Sequence, residues 1–128
     1  MGAHRIMVID DERIVGEMAK LSLEAEGYRV ETFVDAQPAL ARLEEATFEV
    51  IITDYKMRGV DGMEVLKHVR KAHPNVKVIM ITAFANLDTA IEALRGEVHD
   101  FFPKPVKLKD LKASIHRALD PTERAAHE

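Results

Sequence analysis

The chain has no cysteine and no tryptophan, and aromatic residues make up only 5% of it. Lacking cysteine, it can form no disulfide, no thiolate metal site and no cysteine nucleophile. That composition fits a reducing compartment, so a cytoplasmic location is the expectation. Long apolar runs are also missing. None approaches the roughly 18 residues that a membrane-spanning helix requires. Met1-Gly2-Ala3-His4-Arg5 leads straight into a strand-like segment, without the apolar region and cleavage site of a signal peptide. There is no excess of positive charge: 18 basic residues face 22 acidic ones, for a net charge of -4. They are interspersed, with no basic stripe of the kind that tracks a phosphate backbone, so direct nucleic-acid binding is not expected. There is no internal repeat and no low-complexity stretch.

What is present is a one-domain length of 128 residues, 47% of them apolar. A chain of this size buries roughly two-thirds of its unfolded surface and needs no covalent staple. Two kinds of segment alternate along it. Ile6 to Ile9, Val50 to Ile52 and Val76 to Ile81 are short Val/Ile-rich runs, apolar on both faces, as in buried parallel strands. Tyr28 to Val34 alternates more and suits an edge strand, and Phe101-Phe102 is a brief fifth candidate. Between them lie amphipathic segments at helical spacing: Ile14, Met18, Leu21 and Ala25; Leu87, Ala90, Ile91 and Leu94; Leu108, Leu111, Ile115 and Leu119. Asp35 and Asn86 are candidate N-caps, Gly27 a candidate C-cap, and Pro74 predicts the end of the third helix within a residue or two. Five strand-helix repeats predict an α/β fold: a five-stranded parallel sheet, order 2-1-3-4-5, with helices on both faces (flavodoxin-like). Residues 120-128 read as a polar tail or the start of a linker.

In such a sheet, ligands bind beyond the carboxyl ends of the strands. Asp10-Asp11-Glu12 follow the first strand, Asp54 the third, Thr82 the fourth and Lys104-Pro105 the fifth. Taken singly, Asp10 or Asp11 reads as a helix cap, Glu12 as a first-turn acid, Thr82 as a turn hydroxyl and Lys104 as a surface charge. Taken together, they bring carboxylates, a hydroxyl and an ammonium to one edge. Crowded carboxylates are costly to keep ionised, and a hard cation such as Mg²⁺, which takes oxygen ligands, resolves that cost. An Asp beside it can attack phosphorus and form an aspartyl phosphate, while Lys104 and Thr82 hold the equatorial oxygens.

Four fragments carry a resemblance to the response-regulator receiver domain (CheY-like) of bacterial two-component systems, over residues 4 to about 119. They are Val8-Ile9-Asp10-Asp11-Glu12, the run from Ile51 to Gly62 around Asp54, Met80-Ile81-Thr82-Ala83, and Phe101-Phe102-Pro103-Lys104-Pro105. The resemblance implies that Asp54 is the phospho-acceptor. It implies that Asp11, Asp54 and the backbone carbonyl of Lys56 bind Mg²⁺ directly, with Asp10 acting through metal-bound water. Thr82 and Lys104 would hold phosphoryl oxygens, a cis Lys104-Pro105 bond would aim the lysine, and Thr82 with Phe101 would form the switch. The implied partners are a histidine kinase or phosphotransfer protein, and an output domain or effector reading the fourth helix, fifth strand and fifth helix. A homodimer is among the assemblies the family allows. Thr82 to Ala90 resembles receivers joined to ATPase-containing transcription activators. Such a domain is not an enzyme in its own right, and promotes only its own phosphoryl transfer and loss.

The chain departs from that pattern at two places, Arg58 and Glu97-Val98. Arg58 stands where the family usually has Pro. Lys56 and Phe84 occupy positions that influence phosphoryl loss, and a cation and a ring there predict a slow loss. Glu97-Val98 replaces the usual Gly-Ala, which predicts that Gly96 supplies the helix-ending turn and that the fourth helix stops about one residue early. His68, His73, His99 and His116 show no i, i+4 ligand pair and read as solvated surface residues. Two other readings compete. A phosphatase with an aspartyl-phosphate intermediate would carry Asp-x-Asp after the first strand, which this chain lacks. A receiver-like scaffold that binds partners without phosphorylation usually lacks part of the acidic pocket, which is complete here.

Overall fold

The structure, a computed structural model, describes residues 3-57 and 59-120. Arg58 and the tail beyond Asp120 lie outside the described residues. The elements run β1 (Arg5–Ile9), α1 (Arg13–Glu24), β2 (Arg29–Phe33), α2 (Ala36–Leu43), β3 (Val50–Asp54), α3 (Gly62–Ala72), β4 (Lys77–Thr82), α4 (Leu87–Arg95), β5 (Asp100–Pro103) and α5 (Leu108–Leu119). All five strands are parallel, in the order β2-β1-β3-β4-β5. This is the predicted topology, and β2 takes the edge that its alternating pattern suggested.

Strand residues alternate between two cores. Met7, Ile9, Ile51, Val78 and Met80 point to one face and pack with Val65, Leu66 and Val69 of α3, Ala39 of α2 and Ala93 of α4. Ile6, Val8, Ile52, Ile79 and Ile81 point to the other and pack with Leu23 of α1 and Leu111 and Ile115 of α5. Each such buried aliphatic side chain contributes about 1.5-3 kcal/mol over an exposed one.

Local signals set several boundaries. The Asn86 side chain accepts from the Thr89 amide at 3.0 Å while the Thr89 hydroxyl accepts from the Asn86 amide at 3.0 Å, a reciprocal cap that starts α4. Asp61 caps α3 by accepting from the Glu64 amide at 3.1 Å. Asp35 occupies the N-cap position of α2 but makes no capping hydrogen bond. Gly27 adopts φ 97° just beyond α1, and α3 ends at Ala72, two residues before Pro74.

Two of the three predicted apolar stripes face the wrong way for a core. Ile14, Met18 and Leu21 of α1 are 69%, 63% and 71% exposed, and α1 packs instead through Gly16 and Leu23. Leu87 and Leu94 of α4 are 75% and 67% exposed, and Ala93 is the buried residue of that helix. The stripe of α5 behaves as predicted, with Leu111 and Ile115 buried. Helical spacing identifies an apolar face but not what covers it. In α1 the contact falls to Gly16 and Leu23 and in α4 to Ala93, and the residues of the apolar stripes are left outside.

The end of α4 also corrects an expectation. Gly96 has φ -81°, while Glu97 itself takes the left-handed turn at φ 63°. The Glu97 amide donates to the Leu94 carbonyl at 3.0 Å and the Val98 amide to the Ala93 carbonyl at 3.2 Å, which closes the helix end. Gly96 is needed for space. A Cβ there would stand 2.5 Å from Cδ2 of the buried Leu66.

Candidate acidic pocket at the carboxyl edge

Parallel strands deliver their last residues to one edge, and the register fixes which ones meet. Asp54 closes β3 opposite Ile81, and Thr82 closes β4 opposite Pro103. The Lys104 amide donates to the Thr82 carbonyl at 2.8 Å, which extends the ladder and turns the lysine back over the edge. Its ammonium donates to Asp54 Oδ2 at 2.9 Å and to Asp10 Oδ2 at 3.0 Å. Glu12 Oε1 lies farther off, at 3.4 Å. The Lys104-Pro105 peptide is cis, as the resemblance implies.

Asp10 and Asp54 are buried and Asp11 half-buried, and the three can each offer an oxygen within 4.8 Å of the others. Burial raises the Asp54 pKa above its ordinary value, the Lys104 hydrogen bond and charge oppose this, and Asp10 adds to the rise. Burial alone would lower the pKa of Lys104, but the paired carboxylates of Asp54 and Asp10 outweigh it, so the ammonium stays charged. Charge-dense oxygens with a single cation among them fit a hard, oxygen-seeking metal. Asp10 also organises the loop, since its Oδ1 accepts from the Glu12 amide at 2.9 Å.

Thr82 is fully buried, and its hydroxyl accepts from the Phe84 amide at 2.9 Å. Lys56 lies two residues past Asp54 with its side chain exposed, and its backbone hydrogen-bonds the Asp54 carboxylate. Phe84 is exposed. Phe101 is half-buried against the core beneath α4. All the site residues named from the sequence and bordering the pocket thus come to one edge, with Phe101 one layer below.

Two features had no signal in the sequence. Tyr55 directs its hydroxyl to Glu92 Oε1 at 2.8 Å and so ties the residue after Asp54 to α4. Gly62 sits so close to β3 that a Cβ would lie 2.3 Å from the Asp54 carbonyl oxygen. A groove of about 590 Å³ opens from Asp10, Asp54 and Lys104 between α1 and α5, lined by Met18 and Leu111 among others.

Comparison with known proteins decides the family, because the model of the response regulator receiver domain matches residues 6-116. The chain belongs to the response regulator receiver family. This receiver is 35% identical over 120 residues to the nitrogen assimilation regulatory protein NtrX of Azorhizobium caulinodans, covering 92% of the chain and 26% of that protein. It is 32% identical over 114 residues to the DNA-binding transcriptional regulator NtrC of Salmonella typhimurium, covering 89% of the chain and 24% of that protein. The chain therefore spans about a quarter of the length of these curated relatives. Among solved structures, a CheY-like receiver from Methanospirillum hungatei superposes with TM-score 0.91 at 32% identity, covering 97% of this chain and 99% of that one. The beryllofluoride-activated NtrC4 receiver domain dimer superposes with TM-score 0.85 at 30% identity, covering 89% and 94%. Among the described residues, no helix is long and apolar enough to cross a membrane.

Proposed function

We propose that this receiver takes a phosphoryl group onto Asp54 from a phosphohistidine of a kinase or phosphotransfer protein and passes the change to an output partner. The observation that carries the reading is the placement of the Lys104 ammonium 2.9 Å from Asp54, beside carboxylates able to share a cation. In the transfer, the donor's P–N bond breaks as an Asp54 oxygen forms the new P–O bond. Lys104 stays within reach of a phosphoryl oxygen, and Thr82 turns its hydroxyl from the Phe84 amide toward another. Asp11, Asp54 and the Lys56 carbonyl would hold Mg²⁺, with Asp10 beside them. Mg²⁺ bound there supplies positive charge for the transferring group.

Movement of Thr82 leaves room that the Phe101 ring fills, and the surface of α4, β5 and α5 changes with it. The outward stripe of Leu87 and Leu94 supports that surface as the one partners read. The stripe of Ile14, Met18 and Leu21, of which Met18 lines the groove into the pocket, supports α1 as the docking face for the phosphodonor. Self-association is supported by the likeness to the NtrC4 receiver domain dimer, and a transcriptional output by the likeness to NtrC and NtrX. The domain works in the cytoplasm, as a switch and not as an enzyme acting on other substrates.

The test is incubation with a small-molecule phosphodonor and Mg²⁺, followed by intact mass. A single phosphoryl adduct is expected, lost in Asp54→Asn. An adduct that persists in that variant would overturn the site, and no adduct at all would favour a scaffold that works without phosphorylation.

A further inference from the structure

A second cluster of ligand side chains stands at the opposite edge of the sheet. Glu44 caps the C-terminus of α2, His68 lies on α3, and His73 is the C-cap of α3. The sequence offered no i, i+4 histidine pair. Here the helix unwinds at His73, whose φ of -138° and ψ of 67° bring its ring back beside His68 although they are five residues apart. His68 Nε2 and His73 Nε2 approach the same oxygen, Glu44 Oε1, at 3.6 Å and 3.5 Å. All three ligand atoms lie within 4.8 Å of one another.

Three observations point away from ordinary surface packing. Both Nε2 atoms are shut off from solvent, yet neither has a hydrogen-bond partner. A charge-assisted hydrogen bond would be about 2.7-2.9 Å long, well short of these separations. The imidazole rings do not stack either, standing 6.0 Å apart at 45°. Around a tetrahedral metal with bonds of about 2.0-2.1 Å, by contrast, neighbouring ligand atoms are separated by roughly 3.3 Å. The separations to Glu44 Oε1 lie within a few tenths of an ångström of that, and the ligand atoms of the two histidines lie within 4.8 Å of each other.

We propose that Glu44, His68 and His73 form a zinc-class metal site. Two imidazoles and one carboxylate are a donor set for Zn²⁺ and unsuited to Mg²⁺, which prefers oxygen alone. A recess of about 270 Å³, lined by Glu44, His73, Thr47 and Phe48, borders the cluster. The metal staples the ends of α2 and α3 together, on the edge remote from Asp54.

The test is calorimetric titration of the chelator-stripped full chain with Zn²⁺ in excess Mg²⁺, which occupies the acidic pocket. One saturable Zn²⁺ per chain is expected, and His68→Gln and His73→Gln should each weaken it at least about tenfold. Co²⁺ in its place should give the visible absorption of a four-coordinate site. Glu44→Gln, on an exposed side chain, carries the test should a histidine variant misfold. Equal affinity in wild type and variants, or no saturable uptake, would overturn the proposal.

Discussion

The two edges of the sheet are built by different rules. At the carboxyl edge, Asp10, Asp54, Thr82 and Lys104 each end or directly follow a strand, and the parallel register places them. At the amino edge, Glu44, His73 and Glu97 sit at the ends of helices and are placed by where those helices stop. The first edge is clamped: Lys104 lies between two carboxylates, and Gly62 leaves no room over Asp54. The second is looser, with two unpartnered imidazole nitrogens and a Glu in a left-handed turn. The contrast teaches that strand ends position chemistry tightly, while helix ends leave slack that a ligand can take up.

The largest effect should come from Gly62→Ala, which drives a Cβ against the Asp54 carbonyl. Urea unfolding should show a loss of more than about 2 kcal/mol. A near-neutral result would mean that the carboxyl edge is not rigid. Lys104→Met strips the partner from two buried carboxylates and should cost about 2 kcal/mol in the absence of Mg²⁺. Mg²⁺ should restore much of that, as read in melting curves with and without the ion.

At the other edge, Glu97→Gly should stabilise by about 0.5-1 kcal/mol, because glycine takes φ 63° without strain. A loss of stability there would mean that the Glu side chain is needed. The smallest effect concerns His99, whose pKa burial holds below its ordinary 6.5. The unfolded chain then binds the proton first as pH falls. His99 therefore costs stability progressively below pH 6.5, and above it the cost is absent. His99→Gln should lack that slope, so melting temperatures of the two proteins should converge or cross between neutral pH and pH 5.5. Parallel curves would refute it.

Much of this was legible in the chain. Asp54, Thr82 and Lys104 could be assigned because a buried strand announces itself by its Val and Ile, and the residue after it must lie at the edge. The stripes of α1 and α4 are not legible in this way, because periodicity says only that one face is apolar. Ile14, Met18 and Leu21 match a core face in every respect except that Gly16 and Leu23 already fill that role. Spacing reads His68 and His73 as solvated because their meeting depends on a non-helical ψ at a C-cap, and His99 likewise because its contact with Ser114 of α5 is a tertiary fact. Tyr55 and Glu92 are 37 residues apart, and no local rule pairs them.

The two outward stripes have a spatial consequence. α1 packs with one core and α4 with the other, so the stripes lie on opposite sides of the sheet. A body seated on Met18 leaves Leu94 uncovered, and the reverse holds as well. On the proposed docking faces, writing the signal and reading it would not be rival events, and a three-body complex with this domain in the middle would be sterically open.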